Sequence, residues 1–404
     1  MTKDRNSSMD DVAWFEQRDL FIGDFYGGKE GYHTCKIPAL VISKKGTILA
    51  FCEGRKYTGR DADKIDILLK RSFDGGKSWQ NTQVIVAEDG MTCGNPCPVM
   101  DQSNGTIWLP FCKNLRYNGR PSPRLILEGK DPRTIWITKS TDDGVTWAKP
   151  EEISQDVKDP SWTWYATGPG HGVQLKNGSM VIPCDHAVGK NFNADEQDPR
   201  HSHIIYSDDH GASWKIGGIV DEGTNECAIV QTVDGSLYIN CRNAIKECKG
   251  TIKRAYAWSQ DNGITFSKFE RDKTLVEPIC QAGLVRFTDK ARYEKNRILF
   301  SNPASGWFSD GIGGKRHKRE KLTVRISYDE CQTWTVSKLL NEGPSAYSDL
   351  AIAPDMTIYC FYERGKKFYS EKLTLARFNL QWLSDGADKL QPKTRLEEPN
   401  SQTN

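Results

Sequence analysis

Seven positions carry groups that could do acid–base work or hold an anion, and none has an evident packing duty. Lys36 stands directly before Ile37-Pro38, and Asp61 closes the polar loop Arg55-Lys-Tyr-Thr-Gly-Arg-Asp61 between two apolar runs. Glu226 enters a strand-like segment in Thr224-Asn-Glu-Cys-Ala-Ile, and Arg242 follows Leu237-Tyr-Ile-Asn-Cys241. Arg319 ends the basic stretch Lys315-Arg-His-Lys-Arg, Tyr347 lies in Gly343-Pro-Ser-Ala-Tyr, and Glu363 ends Tyr359-Cys-Phe-Tyr-Glu. Taken singly, each has a plain reading. Arg242, or Glu363 beside Arg364, reads as a blade-edge ion pair of small worth; Tyr347 reads as a core or rim aromatic, and Arg319 as part of a solvated loop. Only a fold that gathers them makes a site.

Two interleaved repeats say what that fold is. The first is a tight turn with an aromatic stop, S-x-D-x-G-x-[ST]-W. It is spelled Ser72-Phe-Asp-Gly-Gly-Lys-Ser-Trp79 and returns at Ser140–Trp147, Ser207–Trp214 and Ser259–Phe266. A last copy, Ser327–Trp334, has Cys331 in place of the Gly. The Asp can accept hydrogen bonds from turn amides, and the Gly lets the backbone double back. The second repeat is a hairpin signal, a turn pair followed by alternating apolar residues. It occurs at Lys45-Gly46, Asn104-Gly105, Asn177-Gly178, Asp234-Gly235, Lys295-Asn296 and Asp355-Met356. The spacing gives six units of about 60 residues, each a meander of roughly four antiparallel strands. Such sheets cannot bury both faces alone and must pack radially. The expected architecture is all-β, a six-bladed β-propeller over 18–383. The final strand Lys372–Leu380 would share a blade with the amino-terminal strand, between a flexible segment 1–17 and a flexible polar tail 384–404.

Bulk properties exclude several classes. With 55 basic and 53 acidic residues the net charge is +2, which argues against nucleic acid as the main partner. No apolar run is long enough for a membrane span. The amino-terminal stretch lacks the apolar core of a signal peptide, which favours a cytoplasmic location. The twelve cysteines are scattered without C-x-x-C spacing and read as buried reduced thiols. The seven histidines do not cluster, His201-x-His203 reads as blade packing, and no metal or other cofactor is expected. A monomer is expected.

Taken together, these residues resemble the sialidase (neuraminidase) family of exo-glycosidases, from about Asp19 to Trp382. The repeated turn resembles that family's Asp-box. More specific are Ile37-Pro-Ala-Leu40 after Tyr32-His-Thr34, the Leu49–Arg55 strand, Gly94-Asn-Pro-Cys-Pro98 and Trp164–Gly172. Asn225-Glu-Cys with Asn240-Cys-Arg242, and Gly343-Pro-Ser-Ala-Tyr347, complete the set in family order.

The resemblance implies that Tyr347 is the nucleophile, Glu226 the base that takes its proton, and Asp61 the general acid. A neutral Tyr suits a sugar that carries a carboxylate on its anomeric carbon, because a carboxylate nucleophile would approach against that charge. Phenols ionise near pH 10 and need such a base. Retention should result. The family grips the substrate carboxylate with three arginines. Arg242 and Arg319 match two of them, and Lys36 stands where the third belongs. Glu363 matches the acid that orients that third cation, Arg55 a pocket arginine, and Asn95 a loop residue bordering the pocket. Lys36 keeps the charge and loses the planar fork. The implied substrate is a sialylated glycan. The alternatives are hydrolysis of a related nonulosonic acid, marked by Lys36, or a catalytically weak sialic-acid-binding propeller acting as a lectin; the retained Asp61, Glu226 and Tyr347 speak against the lectin.

Overall fold

The computed structural model describes residues 12–61, 63–115, 123–188, 200–244, 252–309 and 315–393. Six antiparallel meanders follow one another, each with its first strand innermost. Blade 1 comprises Thr34–Ile42, Ile48–Arg55, Ile65–Ser72 and Gln83–Val86. Blade 2 starts with the interrupted strand Met91–Gly94 and Val99–Met100 and continues through Ile107–Leu115, Thr134–Ser140 and Glu151–Glu152. Blade 3 opens with Trp162–Thr167 and Val173–Gln174, then Met180–Val188, Arg200–Ser207 and Lys215–Ile219. Blade 4 is Thr224–Gln231, Leu237–Asn243, Lys253–Ser259 and Glu270–Val276.

Blades 5 and 6 share a strand. The 17-residue Val336–Ile352 first pairs as the outer strand of blade 5 with Glu320–Ser327, then becomes the inner strand of blade 6 and pairs with Ile358–Arg364. Gly283–Thr288 and Arg297–Pro303 complete blade 5. Blade 6 closes as expected: Phe15–Ile22 adds antiparallel to Lys372–Phe378, in register from Phe15↔Phe378 to Ile22↔Lys372. Asp19 secures that seam, paired with Arg364 at 3.0 Å and Lys372 at 2.7 Å. One residue from each inner strand, Val41, Met100, Val173, Val230, Val285 and Ile352, lines a single axial cavity of about 390 Å³. The ring therefore has six blades.

The turn repeat does more than reverse the chain. In each copy the Asp accepts from the backbone and hydroxyl of the residue four positions on, as Asp142 does from Thr146. Its aromatic stop packs into the seam with the preceding blade: Trp147 sits edge-on to Phe51 at 5.8 Å, and Trp214 to Trp108 at 6.3 Å. A side chain at the motif glycine of the second, third or fourth copy would strike that neighbour: a Cβ at Gly144 would lie 2.6 Å from Leu49 Cδ2, whereas at Gly76 it would meet only ordinary contacts from 3.6 Å. Both the positive φ of 77° and this close approach select Gly. Cys331 adopts φ +72° at the equivalent place and is buried in the core between blades 4 and 5. An αL residue with a Cβ costs roughly 1–2 kcal/mol, which its burial offsets.

Two terminal stretches are more ordered than the sequence suggests. Phe15–Gln17, placed in the flexible segment 1–17, belong to the closing strand. Residues 384–393, placed in the polar tail, are pinned to blade 5, where Asp388 pairs with Arg297 at 2.7 Å and accepts from Tyr328 Oη at 2.8 Å. The expectation for 1–11 and 394–404 lies outside the described residues. The eleven described cysteines are buried and unpaired, and Cys248 lies outside. His203 is blade packing, edge-on to Trp162 and Tyr165 and 3.0 Å from His186 Nδ1. Among the described residues, no helix is long and apolar enough to cross a membrane.

Buried groups give the fold a pH signature. Burial drives the His186 imidazole well below its ordinary range and that of His203 down to about 3. A group with a depressed folded pKa that is neutral when deprotonated favours folding only above its unfolded pKa near 6.5. The Asp142 and Asp261 carboxyls are held down to about 2 by the Thr146 and Thr265 hydroxyls and amides, so their contribution is lost below about pH 4. Denaturant unfolding should show stability level above pH 7, declining from about 6.5, and falling faster below 4. A level profile down to pH 5 would contradict the neutral buried histidine pair.

Candidate active site

The inner strands start at one end of the axis and finish at the other. Their finishing residues line the axial cavity above; their starts and the ends of their partner strands line a second pocket of about 380 Å³. Ile37, Asn95, Trp164, Glu226, Ile279 and Tyr347 enter it from blades 1, 2, 3, 4 and 6 and the blade 4–5 connection. Arg55, Asp61, Asp185 and Arg242 join them, with Lys36, Arg319 and Glu363 immediately behind. All nine residues singled out in the sequence are thus brought to one mouth.

At its centre Tyr347, Glu226 and Arg242 form a closed triangle. Tyr347 Oη donates to Glu226 Oε1 in a short hydrogen bond. Arg242 Nη1 donates to Glu226 Oε2 at 2.7 Å and to the Tyr347 oxygen at 3.1 Å. Burial, then the Glu226 charge, pushes the phenol well above its ordinary pKa, while Arg242 and Arg319 pull the other way. Burial raises Glu226, but the Arg242 guanidinium and the phenol proton outweigh it and hold the carboxyl below its usual range. The free site therefore stores its proton on the phenol, aimed at an ionised carboxylate. That is the arrangement a base-assisted nucleophile needs.

The cationic side is uneven. Arg319 lies 5.4 Å over the Tyr347 ring and donates to Ile279 O at 2.8 Å. Lys36 is buried, and its ammonium makes no hydrogen bond among the described residues and lies 5.6 Å over the Tyr369 ring. Burial, with Arg55 nearby, lowers its pKa, and Glu363 works against that. Glu363 spends Oε1 on the amide of Ile37 at 3.0 Å, leaving Oε2 buried with no hydrogen-bond partner among the described residues. Ile37 has φ +58°, a strained value for a β-branched residue, in a bulge between Lys36 and Ala39. The bulge and that single carboxylate oxygen fix the backbone next to Lys36, behind the residues that line the mouth.

Asp61 departs from what a general acid requires. Its side chain is 64% exposed and paired with Arg55 at 2.7 Å. The protein packed around its base opposes ionisation although its oxygens face solvent, and Arg55 and Lys36 outweigh that and hold the carboxyl well below its usual range. Arg55 is itself locked: Glu53 Oε2 accepts from Nε at 2.9 Å and Nη2 at 2.7 Å, and Gly59 O from Nη1 at 2.7 Å. The other oxygen of Glu53 accepts from the Asn95 amide at 2.8 Å, and Asn95 Oδ1 accepts from Arg133 at 3.1 Å.

Glu53, Arg133, Trp164, Asp185 and Arg200 were not among the sequence candidates. Trp164 carries a guanidinium over its ring from Arg133 at 3.7 Å and from Arg200 at 4.7 Å. Its Nε1 donates to Asp185 Oδ2 at 3.0 Å, and Asp185 Oδ1 is buried and unpartnered. Burial pushes the Asp185 carboxyl up to about 7. A signal for two of these residues exists in the repeat. Glu53, Asp185, Arg242 and Glu363 each stand seven residues after a hairpin turn residue, Gly46, Gly178, Gly235 and Met356. This phase places a second-strand side chain at the mouth.

Among the described residues no group of three or more potential metal ligands converges. Removing Glu53 would leave the buried Nε and Nη2 of Arg55 without their carboxylate. Glu53→Ala should cost about 3–5 kcal/mol in denaturant unfolding, with part restored in Glu53→Ala/Arg55→Ala. A loss below about 1 kcal/mol would show that the Glu53–Arg55 bridge does not organise this wall.

Comparison with known proteins agrees with this geometry. The BNR repeat-like domain family matches residues 46–360. An exo-alpha-sialidase of Aspergillus fumigatus is 28% identical over 93% of this chain and 91% of its own. A sialidase of Micromonospora viridifaciens is 30% identical over 91% of this chain and 54% of its own length. Among solved structures, the Hadza microbial sialidase Hz136 superposes with TM-score 0.75 at 26% identity, covering 88% of this chain and 67% of that one. An intramolecular trans-sialidase from Ruminococcus gnavus superposes with TM-score 0.71, covering 94% and 99%; at 18% identity it speaks for the fold alone. With six blades, five of them carrying the Asp-box turn, around a mouth of this composition, the chain belongs to the BNR-repeat sialidase family of β-propellers.

Proposed function

We propose that this protein is an exo-α-sialidase, hydrolysing terminal sialic acid from glycoconjugates with retention of configuration. The observation that carries the reading is the Tyr347–Glu226–Arg242 triangle. Glu226 takes the phenol proton as Tyr347 attacks the anomeric carbon, and Arg242 and Arg319 offset the charge that develops on the phenolic oxygen. Both arginines, with Lys36, grip the substrate carboxylate. Asp61 protonates the leaving oxygen and then activates water against the tyrosyl intermediate. In the free chain Asp61 is ionised, so binding must change its surroundings. A glycan seated over this exposed carboxyl desolvates it and raises its pKa toward the acid role.

A second reading, hydrolysis of a related nonulosonic acid, draws on the wall formed by Arg133, Trp164, Asp185 and Arg200. The unpartnered, deeply buried Asp185 oxygen and two guanidiniums make it polar where an acyl group would gain little. A panel of fluorogenic glycosides bearing different nonulosonic acids separates the two readings by relative kcat/KM.

Tyr347→Phe should lower kcat on a fluorogenic sialoside at least about a thousand-fold. Wild-type turnover no higher than that of Tyr347→Phe would remove the enzyme reading and favour a lectin. Lys36→Arg supplies a planar fork and can engage the free Glu363 oxygen. A charge-assisted hydrogen bond is worth about 1.5–3 kcal/mol, so kcat/KM on sialosides should rise roughly ten- to a hundred-fold. A fall instead would show that Lys36 serves a different substrate.

A further inference from the structure

Beside the mouth, three loops from blades 1 and 6 each pair an exposed aromatic ring with exposed basic residues. Phe25 is 67% exposed, Tyr57 55% and Phe368 60%, and they stand with Lys29, with Lys56 and Arg60, and with Lys366 and Lys367. Contacts join the loops into one sector. Lys56 Nζ donates to Gly31 O at 2.7 Å, and Tyr26 Oη lies 3.4 Å from Ser370 Oγ. The sector abuts the site at both ends: the second loop carries Asp61, and Tyr369 of the third lies under Lys36 and Arg319.

The acidic residues among these loops are already engaged. Glu30 pairs with Lys70, Asp61 with Arg55, Asp24 accepts from the Gly31 amide, and Glu371 accepts from the amides of Lys366, Lys367 and Phe368. Five exposed basic side chains, Lys29, Lys56, Arg60, Lys366 and Lys367, thus stand against the two carboxylates of these loops that only amides engage, Asp24 and Glu371, and beside three rings that stay more than half exposed, Phe25 even while stacked on His33 at 4.6 Å. A phenyl ring offers no hydrogen bond, so two of them at loop tips gain only by leaving water. Lysines around apolar aromatics match the headgroup boundary of an anionic bilayer, where rings enter the acyl edge and ammonium groups meet lipid charge. A soluble polyanion would use the lysines and have no need of the phenylalanines.

We propose that this sector is a docking surface for an anionic lipid bilayer, holding the chain peripherally with its mouth beside the membrane, where lipid-borne glycans stand. The surface does not depend on the reaction assigned to the site, and the test uses vesicles without sialic acid. Full-length protein is floated with vesicles of phosphatidylcholine alone and of phosphatidylcholine with phosphatidylserine. Binding should need phosphatidylserine and weaken with added salt. Lys366→Glu/Lys367→Glu should weaken it at least about thirty-fold. Phe25→Ser/Phe368→Ser should weaken it at least about tenfold. Both double variants should keep the wild-type thermal midpoint and wild-type turnover of a small soluble substrate; if charge reversal disturbs the loop, Lys366→Gln/Lys367→Gln replaces it. No binding by the wild type, or binding that ignores both pairs, would overturn the proposal. Sensitivity to the lysines with none to the phenylalanines would overturn it too, in favour of a polyanionic partner.

Discussion

Everything in this molecule follows from the need of each four-stranded sheet to cover two faces. A blade alone leaves one apolar face in water, and only its neighbours can cover it. The seams are therefore the core. Cys35, Leu40, Tyr359 and Phe361 fill the one between blades 6 and 1, and Ile204, Ile229 and Ile239 the one between blades 3 and 4. The turn repeat feeds those seams, with its aromatic wedged against the preceding blade and its glycine shaped by contact with it. Closure by Phe15–Ile22 removes the last free edge of the ring.

The ring has a second consequence, which is electrostatic. It draws the starts of six inner strands to one end and leaves a mouth where side chains point at each other. At the opposite end of the axis Val41, Met100, Val230 and Ile352 share the cavity wall with Gln102, Lys176, Gln231 and Arg286. At the mouth, Arg55, Glu53, Arg133, Glu226, Arg242 and Glu363 are buried or nearly so, each close to opposite charge. Buried ion pairs of this kind contribute little net stability compared with apolar packing. Their value here lies in geometry: the Tyr347 proton faces an ionised Glu226 because Arg242 holds both oxygens in place. The seams supply the stability that such a mouth consumes.

The fold was legible because its two signals are local and repeated. A turn that needs an Asp, a Gly and an aromatic at fixed offsets announces itself five times, and the hairpin pair six times. Boundaries at the ends were less so. Nothing local in Phe15–Gln17 or Asp388 reveals a partner more than ninety residues away. The site shows the same split. Residues in recognisable motifs, such as Tyr347 and Glu226, could be picked out, and the structure brings them together. Glu53 and Asp185 sit inside apolar strand runs and look like interruptions of a core until the blade phase is applied. Arg133 and Arg200 begin third strands, where a cation usually means a solvated edge. The exposure of Asp61 and its capture by Arg55 are properties of loop conformation, which composition does not encode.

The position that most separates this chain from the pattern it resembles is Lys36, and its surroundings show why the difference matters. The strained Ile37 and its bulge are retained, and so is the Glu363 oxygen that pins them. What is missing is a donor for the second oxygen, which stays buried and unsatisfied. A guanidinium could reach that oxygen and a substrate carboxylate together, because its donors diverge from a plane. An ammonium is a point charge that is costlier to desolvate and cannot span both. On the proposed reading, Lys36 would hold a substrate carboxylate with one ammonium and so less rigidly than a guanidinium does. The same mouth holds a wall in which Asp185 accepts from Trp164 through Oδ2 while Oδ1 stays buried with no hydrogen bond among the described residues. Lys36 and Asp185 thus face the Tyr347–Glu226–Arg242 triangle from the same mouth, and on the proposed reading they bear on what is recognised there rather than on how the phenol loses its proton.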